Sequence, residues 1–120
     1  MSGLRETPER TAIDTSVLES LAADIGADEC DRILQMFKEN LREYCGEMES
    51  EIASQDLPGA KRLAHGIKGL CLQFGATHSM EIARLIELDV ENAEEATAAL
   101  QKLVAEIERV EAFIASWGTV

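Results

Sequence analysis

One histidine of this chain, His65, has neighbours that could prepare its ring for chemistry. No acidic residue occurs between positions 57 and 80, although the whole chain carries a net charge of −12. At the spacing of helical neighbours, His65 is surrounded instead by Lys61, Arg62 and Lys68. Cations beside an imidazole favour its neutral, nucleophilic form and would also stabilise an anion placed on the ring. The anion that this arrangement predicts is a phosphoryl group.

Two glycines follow His65 closely, and each costs a helix interior about 1 kcal/mol relative to alanine. On a helical wheel Gly66 and Gly69 both fall off the apolar side, and Gly69 lies one turn from His65 on the same face. We interpret them as clearing the surface so that a large partner can reach the ring, with close helix packing as the alternative. The residues beside the ring that could dock such a partner are Gly66, Leu70, Leu72 and Gln73.

The segment that carries His65 is predicted to be a helix, as is most of the chain. Two prolines and 4% aromatic residues argue against a β-sandwich, and 46% hydrophobic residues argue against disorder. Apolar residues at gaps of three and four predict helices over about residues 15–24, 28–54, 56–75, 77–90 and 96–117. The residues suited to cap them are Asp14 or Thr15, Gly26, Asp56 and Gly75.

Four long helices joined by short turns predict an all-α fold. We expect an antiparallel up-down-up-down four-helix bundle, with the short extra N-terminal helix packed across one end. Residues 1–12 lack apolar periodicity and are predicted to form a flexible arm, and residues 13–120 a single domain. The regular apolar spacing from Ala96 to Trp117 could instead form a dimeric coiled coil. The short turns favour the intramolecular bundle, and we expect a monomer.

Composition argues against several classes of function. A net charge of −12 argues against general nucleic-acid binding, which needs clustered lysine and arginine. We find no apolar run that could span a bilayer and no signal-peptide pattern, so we expect a cytoplasmic protein without membrane attachment. Three cysteines without a Cys-x-x-Cys pair predict buried thiols, with neither disulfides nor a metal site. No ATP-binding motif is present, and we expect no bound cofactor.

The motif around His65 resembles that of a known family. The letters AHGIKG at positions 64–69, followed by FGA at 74–76, resemble the signature of histidine-containing phosphotransfer (HPt) domains of two-component phosphorelays. The resemblance implies that Nε2 of His65 takes a phosphoryl group from a receiver-domain phosphoaspartate, with Lys68 steadying its oxygens and Lys61 or Arg62 adding attraction. It implies receiver domains of response regulators or hybrid histidine kinases as partners, and it places Mg²⁺ on the receiver.

A carboxylate from the following helix is predicted to lie beside His65. If the third and fourth helices form a hairpin near position 76, residues at equal distances from the turn lie side by side on the two helices. Glu87 then lies opposite His65, and Arg84 lies one turn away. Glu87 could accept a hydrogen bond from Nδ1–H and leave Nε2 free to react, as an acidic residue at this separation does in kinase-type HPt members. A surface ion pair between Arg84 and Glu87 is an equally good interpretation. His78 is expected to be solvated or to cap a helix.

These residues together predict a phosphoryl carrier that relays the group between receivers. We expect it not to be an enzyme, because the partner receiver completes the chemistry. A rival hypothesis is an adaptor or kinase-inhibiting module of the same fold, although the presence of both His65 and Lys68 counts against it. A purely structural dimer is a second rival, and an enzyme with His65 as general base is a third. Such an enzyme would need a pocket and a partner acid on the same helix face, and the sequence indicates neither.

Overall fold

The structure, a computed structural model, describes residues 11–117 and contains helices but no strand in that range. The helices are α1 (Thr15–Ile25), α2 (Ala27–Ala53), α3 (Leu57–Phe74), α4 (Thr77–Leu88) and α5 (Ala93–Trp117). From α2 to α5 each helix packs against the next, and α5 packs back against α2. Because the connections are short, consecutive helices run in opposite directions. The predicted all-α bundle with a short additional first helix is confirmed.

Polar residues and a glycine explain where α1 begins and where α3 begins and ends. The Asp14 side chain accepts a hydrogen bond from the Ser16 amide at 3.0 Å, and Asp56 accepts one from Gly59 at 2.9 Å. Each bond satisfies an N–H that the first helical turn leaves unpaired. Gly75 ends α3 with φ of 77°, in the left-handed region that glycine adopts without strain. The turn that follows is short, so α3 and α4 form a tight hairpin.

The core side of α2 differs slightly from the one that apolar residues at gaps of three and four predict, which consists of Ile33, Phe37, Leu41, Tyr44, Met48 and Ile52. Phe37 stacks on Phe74 of α3 with ring centroids 4.4 Å apart, as expected for core residues. Ile33 and Tyr44, which the apolar spacing places in the core, are only half-buried at its edge. The buried residues of α2 are Cys30, Leu34, Phe37, Leu41, Cys45, Met48 and Ile52. Cys30 and Cys45 pack as small apolar side chains, so the centre of the buried face lies closer to them than the spacing of the larger apolar residues predicts.

The apolar side of α5 faces the interior of the same chain. Its regularly spaced residues from Ala96 to Ile114 are buried, and Trp117 at the end is half-buried beside Phe113. Because the bundle already covers this side, the hypothesis of a coiled-coil dimer formed through it is wrong. One carboxylate, Glu106, is buried there, with both oxygens within 3.0 Å of Nη1 of Arg109. The cation compensates for the cost of removing that charge from water.

The short helix α1 is tied to the end of the bundle where α3 stops. The Asp14 backbone N–H donates to the Gly75 carbonyl at 2.8 Å, and Ile13 and Leu18 are completely buried. Ala12 is also buried, at 4% exposure, so the packed domain begins before the predicted boundary between residues 12 and 13. The rest of the predicted arm, residues 1–10, lies outside the described residues.

All three cysteines are buried with free thiols, as their types and spacing predict. Burial raises the pKa of Cys45 to about 11 and the pKa of Cys71 to about 12. The neutral thiols therefore persist at neutral pH and act as packing groups, because the thiolate is the reactive form.

Candidate functional site

His65 lies on the solvent side of α3. The opposite side of the helix buries Ala64 and Ile67 in the core, and the side chain of His65 is 68% exposed. Nδ1 of the ring lies 2.7 Å from Oε2 of Glu87 on α4. Nε2 has no hydrogen-bond partner among residues 11–117. One ring nitrogen is therefore held by the neighbouring helix while the other is open to an approaching group.

Glu87 connects α4 to two side chains of α3. Its Oε2 contacts His65, and its Oε1 lies 2.7 Å from Nζ of Lys68. The Lys68 ammonium, and after it the His65 ring, lower the pKa of Glu87 from its ordinary value of 4.5, against partial desolvation that raises it. The carboxylate is therefore ionised at neutral pH. The predicted pair with Arg84 is absent: Arg84 is exposed and forms no ion pair within the described part of the chain.

The ionised Glu87 determines which nitrogen of His65 can react. A carboxylate accepts hydrogen bonds and cannot donate them, so Nδ1 must carry the hydrogen. In the neutral ring the lone pair then lies on Nε2. Glu87 also balances the positive charge that the ring acquires when Nε2 forms a new bond. The pair therefore prepares the exposed nitrogen as a nucleophile.

An open pocket of about 640 Å³ adjoins the ring on the side of the first turns of α3. Its lining residues are Pro58, Lys61, Arg62, His65 and Glu87. Lys61 and Arg62 form no ion pair with any other residue in the range 11–117. The predicted set of three cations is thus divided, since Lys68 pairs with Glu87 while Lys61 and Arg62 can attract an anion in the pocket. Pro58 was not predicted to line the site; its position two turns before His65 would have indicated it.

Gly69 and Gly66 have different surroundings. A Cβ added to Gly69 would meet no atom within 4 Å, so bare backbone faces open space one turn from His65. A Cβ added to Gly66 would lie 3.3 Å from ring carbons of Tyr44 on α2. Gly66 therefore allows α2 and α3 to pack closely, and the prediction that it clears the surface for a partner is wrong. A wheel of α3 alone could not show that the Tyr44 ring covers this side of the helix.

The predicted docking residues also separate into exposed and packed ones. Leu72 is 68% exposed, and Gln73 next to it is exposed as well. Leu70 is half-buried and packs against the core, so only part of its side chain is open to a partner. On α4, Leu85 and Leu88 are exposed large hydrophobic residues that the sequence did not single out. A wheel of α4 would have found them, since both point away from its buried side.

The second histidine, His78, is not part of this arrangement. It is half-buried at the start of α4, with Nδ1 3.5 Å from a carboxylate oxygen of Glu81 on the same helix. No group of three or more histidine, cysteine, aspartate or glutamate side chains within residues 11–117 could hold a metal ion. In the same range no helix has both the length and the apolar character needed to cross a bilayer.

Comparison with known proteins identifies the family of the chain. A sequence profile of the Hpt domain matches residues 32–113, a segment that contains His65, Lys68, Gly69 and Glu87. The chain belongs to the Hpt domain family. The crystal structure of histidine-containing phosphotransfer protein B (HptB) from Pseudomonas aeruginosa PAO1 has the same fold, with a TM-score of 0.82 at 21% sequence identity. That match covers 90% of this chain and 95% of the other. No curated protein matches the chain.

Membership of the Hpt family makes the chain a histidine phosphotransfer protein of two-component signalling. Proteins of the family carry phosphoryl groups rather than catalyse reactions, and they interact with receiver domains. The matched segment begins within α2, so α1 lies outside it.

Proposed function

We propose that this Hpt domain relays a phosphoryl group between receiver-domain aspartates through Nε2 of His65. The supporting observation is the 2.7 Å contact between Nδ1 and the ionised carboxylate of Glu87. It keeps the hydrogen on Nδ1 and leaves the lone pair on the exposed nitrogen. No other histidine among residues 11–117 combines an exposed ring nitrogen with neighbouring cations and bare backbone.

The transfer step follows from the positions of these groups. The Nε2 lone pair attacks the phosphorus of a receiver phosphoaspartate; the N–P bond forms, the P–O bond of the acyl phosphate breaks, and aspartate leaves as a carboxylate. The ring becomes positively charged, keeps its Nδ1 hydrogen, and is balanced by Glu87. Attack by the aspartate of a second receiver reverses the step and restores neutral His65.

The cations of α3 assist this step in two ways. Lys61 and Arg62 border the pocket beside the ring and attract the phosphoryl oxygens. Lys68 lies one turn after His65, and its flexible ammonium can move from Glu87 toward those oxygens once they are present. Mg²⁺ is held by the receiver, which supplies most of the electrostatic stabilisation of the transition state. The chain is thus a carrier and not an enzyme.

The surface around His65 is suited to a brief contact with such a receiver. Gly69 lets the partner approach the ring, and Leu72 provides an apolar contact two turns away, beside the polar Gln73. Leu88, directly after Glu87, extends this surface onto α4. A small apolar centre within a polar rim is typical of transient interfaces. We place this exchange in the cytoplasm and expect a monomeric carrier.

Transfer from labelled receivers tests the proposal. Each receiver domain of the source organism is phosphorylated with radiolabelled phosphate, mixed with the chain and sampled at short times. We expect an acid-labile label on the unchanged chain and on His78→Gln, and none on His65→Gln. Labelling of His65→Gln with unchanged helical circular dichroism would refute the site. Receiver binding without any labelling of the unchanged chain would favour the adaptor hypothesis.

A further inference from the structure

An open groove between α4 and α5 lies away from the surface proposed to dock receivers. Its volume is about 680 Å³, and each of the two helices contributes one side of it. The apolar residues that line it are Ile82, Leu85, Val90, Ala98, Ala99 and Ala105. Leu85 is 47% exposed, and Ala98 and Ala105 are exposed as well. Exposed apolar side chains grouped in one concave surface are typical of an interaction site.

The groove and His65 lie on opposite sides of α4. Glu87, whose carboxylate contacts the His65 ring, projects from α4 toward α3. At 100° per residue, the residues of α4 that line the groove lie about 160° to 220° around the helix axis from Glu87. These residues are His78, Ile82, Leu85 and Asp89. The body of α4, about 10 Å across, therefore separates a molecule in the groove from the reactive nitrogen.

The dimensions of the groove suit a helix. Ala98 and Ala105 lie two turns apart on α5, and their small side chains let a neighbouring helix approach closely. Lys102 between them is exposed, so its long side chain can lie along the edge of the groove. Along α4 the groove extends from His78 to Asp89, about 16 Å at 1.5 Å per residue. A helix of about three turns spans that length and presents an apolar side to the groove.

The charge of the groove favours a basic partner. The sequence from position 85 to 101 contains five acidic residues and no lysine, arginine or histidine. Two of these acids, Asp89 and Glu95, line the groove and form no ion pair within residues 11–117. The cations of the lining, Lys102 and Arg109, lie about two and four turns further along α5 than Glu95. The end of the groove beside the α4–α5 connection therefore attracts a cationic segment, whereas a second copy of a chain with a net charge of −12 is repelled.

We propose that this groove binds a basic amphipathic helix of a partner protein and leaves His65 available to receivers. Apolar side chains of that helix contact Ile82 and Leu85. Its lysine or arginine residues lie beside Asp89 and Glu95. The proposal goes beyond the relay, because it gives the carrier a second binding surface that takes no part in phosphoryl transfer. A partner that also carries a receiver would present that receiver to His65 at a high effective concentration.

A synthetic amphipathic peptide of about 14 residues, or four helical turns, is the probe for this surface. It has leucine on one side and lysine on the other, and in a control peptide glutamate replaces every lysine. Binding of each labelled peptide to the full chain is measured by fluorescence anisotropy. Ala98→Trp fills the groove, and Ala112→Trp is its matched control, because Ala112 is exposed on the same helix and does not line the groove.

A second pair of variants tests the charge without adding bulk. Asp89→Asn removes a charge that faces the groove, and Glu94→Gln removes one from an exposed residue outside its lining. Circular dichroism verifies that all four variants keep the helical fold.

We expect the lysine peptide to bind the unchanged chain at least about tenfold more tightly than the glutamate peptide does. Ala98→Trp should raise the Kd of the lysine peptide about fivefold or more, and Ala112→Trp should leave it within about twofold. Asp89→Asn should raise it about threefold, and Glu94→Gln less. Transfer from a phosphorylated receiver to His65 should stay within about twofold when the peptide saturates the chain.

Four results would overturn the proposal. Equal effects of the two tryptophan variants would place the peptide elsewhere on the chain. Equal binding of the lysine and glutamate peptides, or no binding of either, would exclude a basic partner. A tenfold loss of transfer at saturating peptide would show that the groove is not separate from the reacting surface. Dimerisation of the unchanged chain in size-exclusion chromatography that Ala98→Trp abolishes would make a second copy the occupant.

Discussion

Replacing Gly69 by leucine tests whether the bare backbone beside His65 serves the approach of a receiver. The new side chain would project into the open space one turn from the ring, on the face that a partner must contact. We expect Gly69→Leu to slow transfer from phosphorylated receivers by about tenfold or more, which corresponds to about 1.4 kcal/mol of lost docking free energy. The loss should appear as weaker receiver binding.

The same substitution should stabilise the fold. A Cβ at Gly69 meets no atom within 4 Å, so the helix gains the propensity difference without a steric cost. That difference is about 0.8–1.0 kcal/mol for Gly→Ala and slightly less for Gly→Leu. In a domain of this size about 1 kcal/mol raises Tm by about 4 °C. We therefore expect a protein that is more stable than the original and slower in transfer.

Gly66→Ala is the matched control for Gly69→Ala in the stability measurement, since both variants add one methyl group to the same helix. Its Cβ would lie 3.3 Å from the Tyr44 ring, which must shift by a few tenths of an ångström. The stability gained from the higher helix propensity of alanine is then reduced or reversed, so the Tm of Gly66→Ala should fall below the Tm of Gly69→Ala. Thermal unfolding followed by circular dichroism gives both values.

Two results would refute this reasoning. An equal rise in Tm for the two alanine variants would show that Gly66 is not required for packing against Tyr44. Transfer by Gly69→Leu at the original rate, or slowed while receiver affinity is unchanged, would show that Gly69 does not serve access.

Three further substitutions test the site and the core. Glu87→Gln keeps the shape of the side chain and removes its charge, so transfer at saturating receiver should fall about tenfold; a rate within twofold of the original would contradict the orienting role. Leu72→Ser should raise the receiver Kd severalfold in calorimetric titrations with Tm unchanged, because the side chain is 68% exposed; an unchanged Kd would exclude Leu72 from the docking surface. The free energy of unfolding should decline above pH 9.0, the ordinary thiol pKa, because unfolded thiols ionise while Cys45 and Cys71 stay protonated up to about pH 11 and 12. Cys71→Ala should show a shallower decline between pH 9 and 11 in urea unfolding, and an equal slope would count against the burial effect.

The parts of the site that follow from helix geometry could be predicted from the sequence. The apolar spacing of α3 determines that His65 points to solvent. The tight turn after Gly75 determines which residues of α4 lie opposite which residues of α3. Those two facts place Glu87 opposite His65, and the structure decides that its carboxylate contacts the ring rather than Arg84. Both depend on the regular rise and turn of helices, which local sequence reports well.

The parts that depend on the neighbouring helix could not be predicted. The rotamer of the long Lys68 side chain decides whether it faces Glu87 or the solvent. The spacing of apolar residues carries no information about such rotamers. The packing of Gly66 depends on the reach of Tyr44 from α2, and the partial burial of Leu70 depends on where α2 crosses α3. The groove between α4 and α5 likewise depends on how those two helices pack.

The single outward-facing nitrogen of His65 has a consequence for how a relay built on it must operate. A donor and an acceptor aspartate cannot both reach one nitrogen at once. The upstream and downstream proteins therefore compete for the same few square nanometres of surface around His65. Signal flow is then a sequence of separate encounters, and its speed is set by how quickly the first protein departs. An excess of idle receiver would sequester the carrier and weaken the output, which makes the relative abundance of the three proteins a control parameter of the pathway.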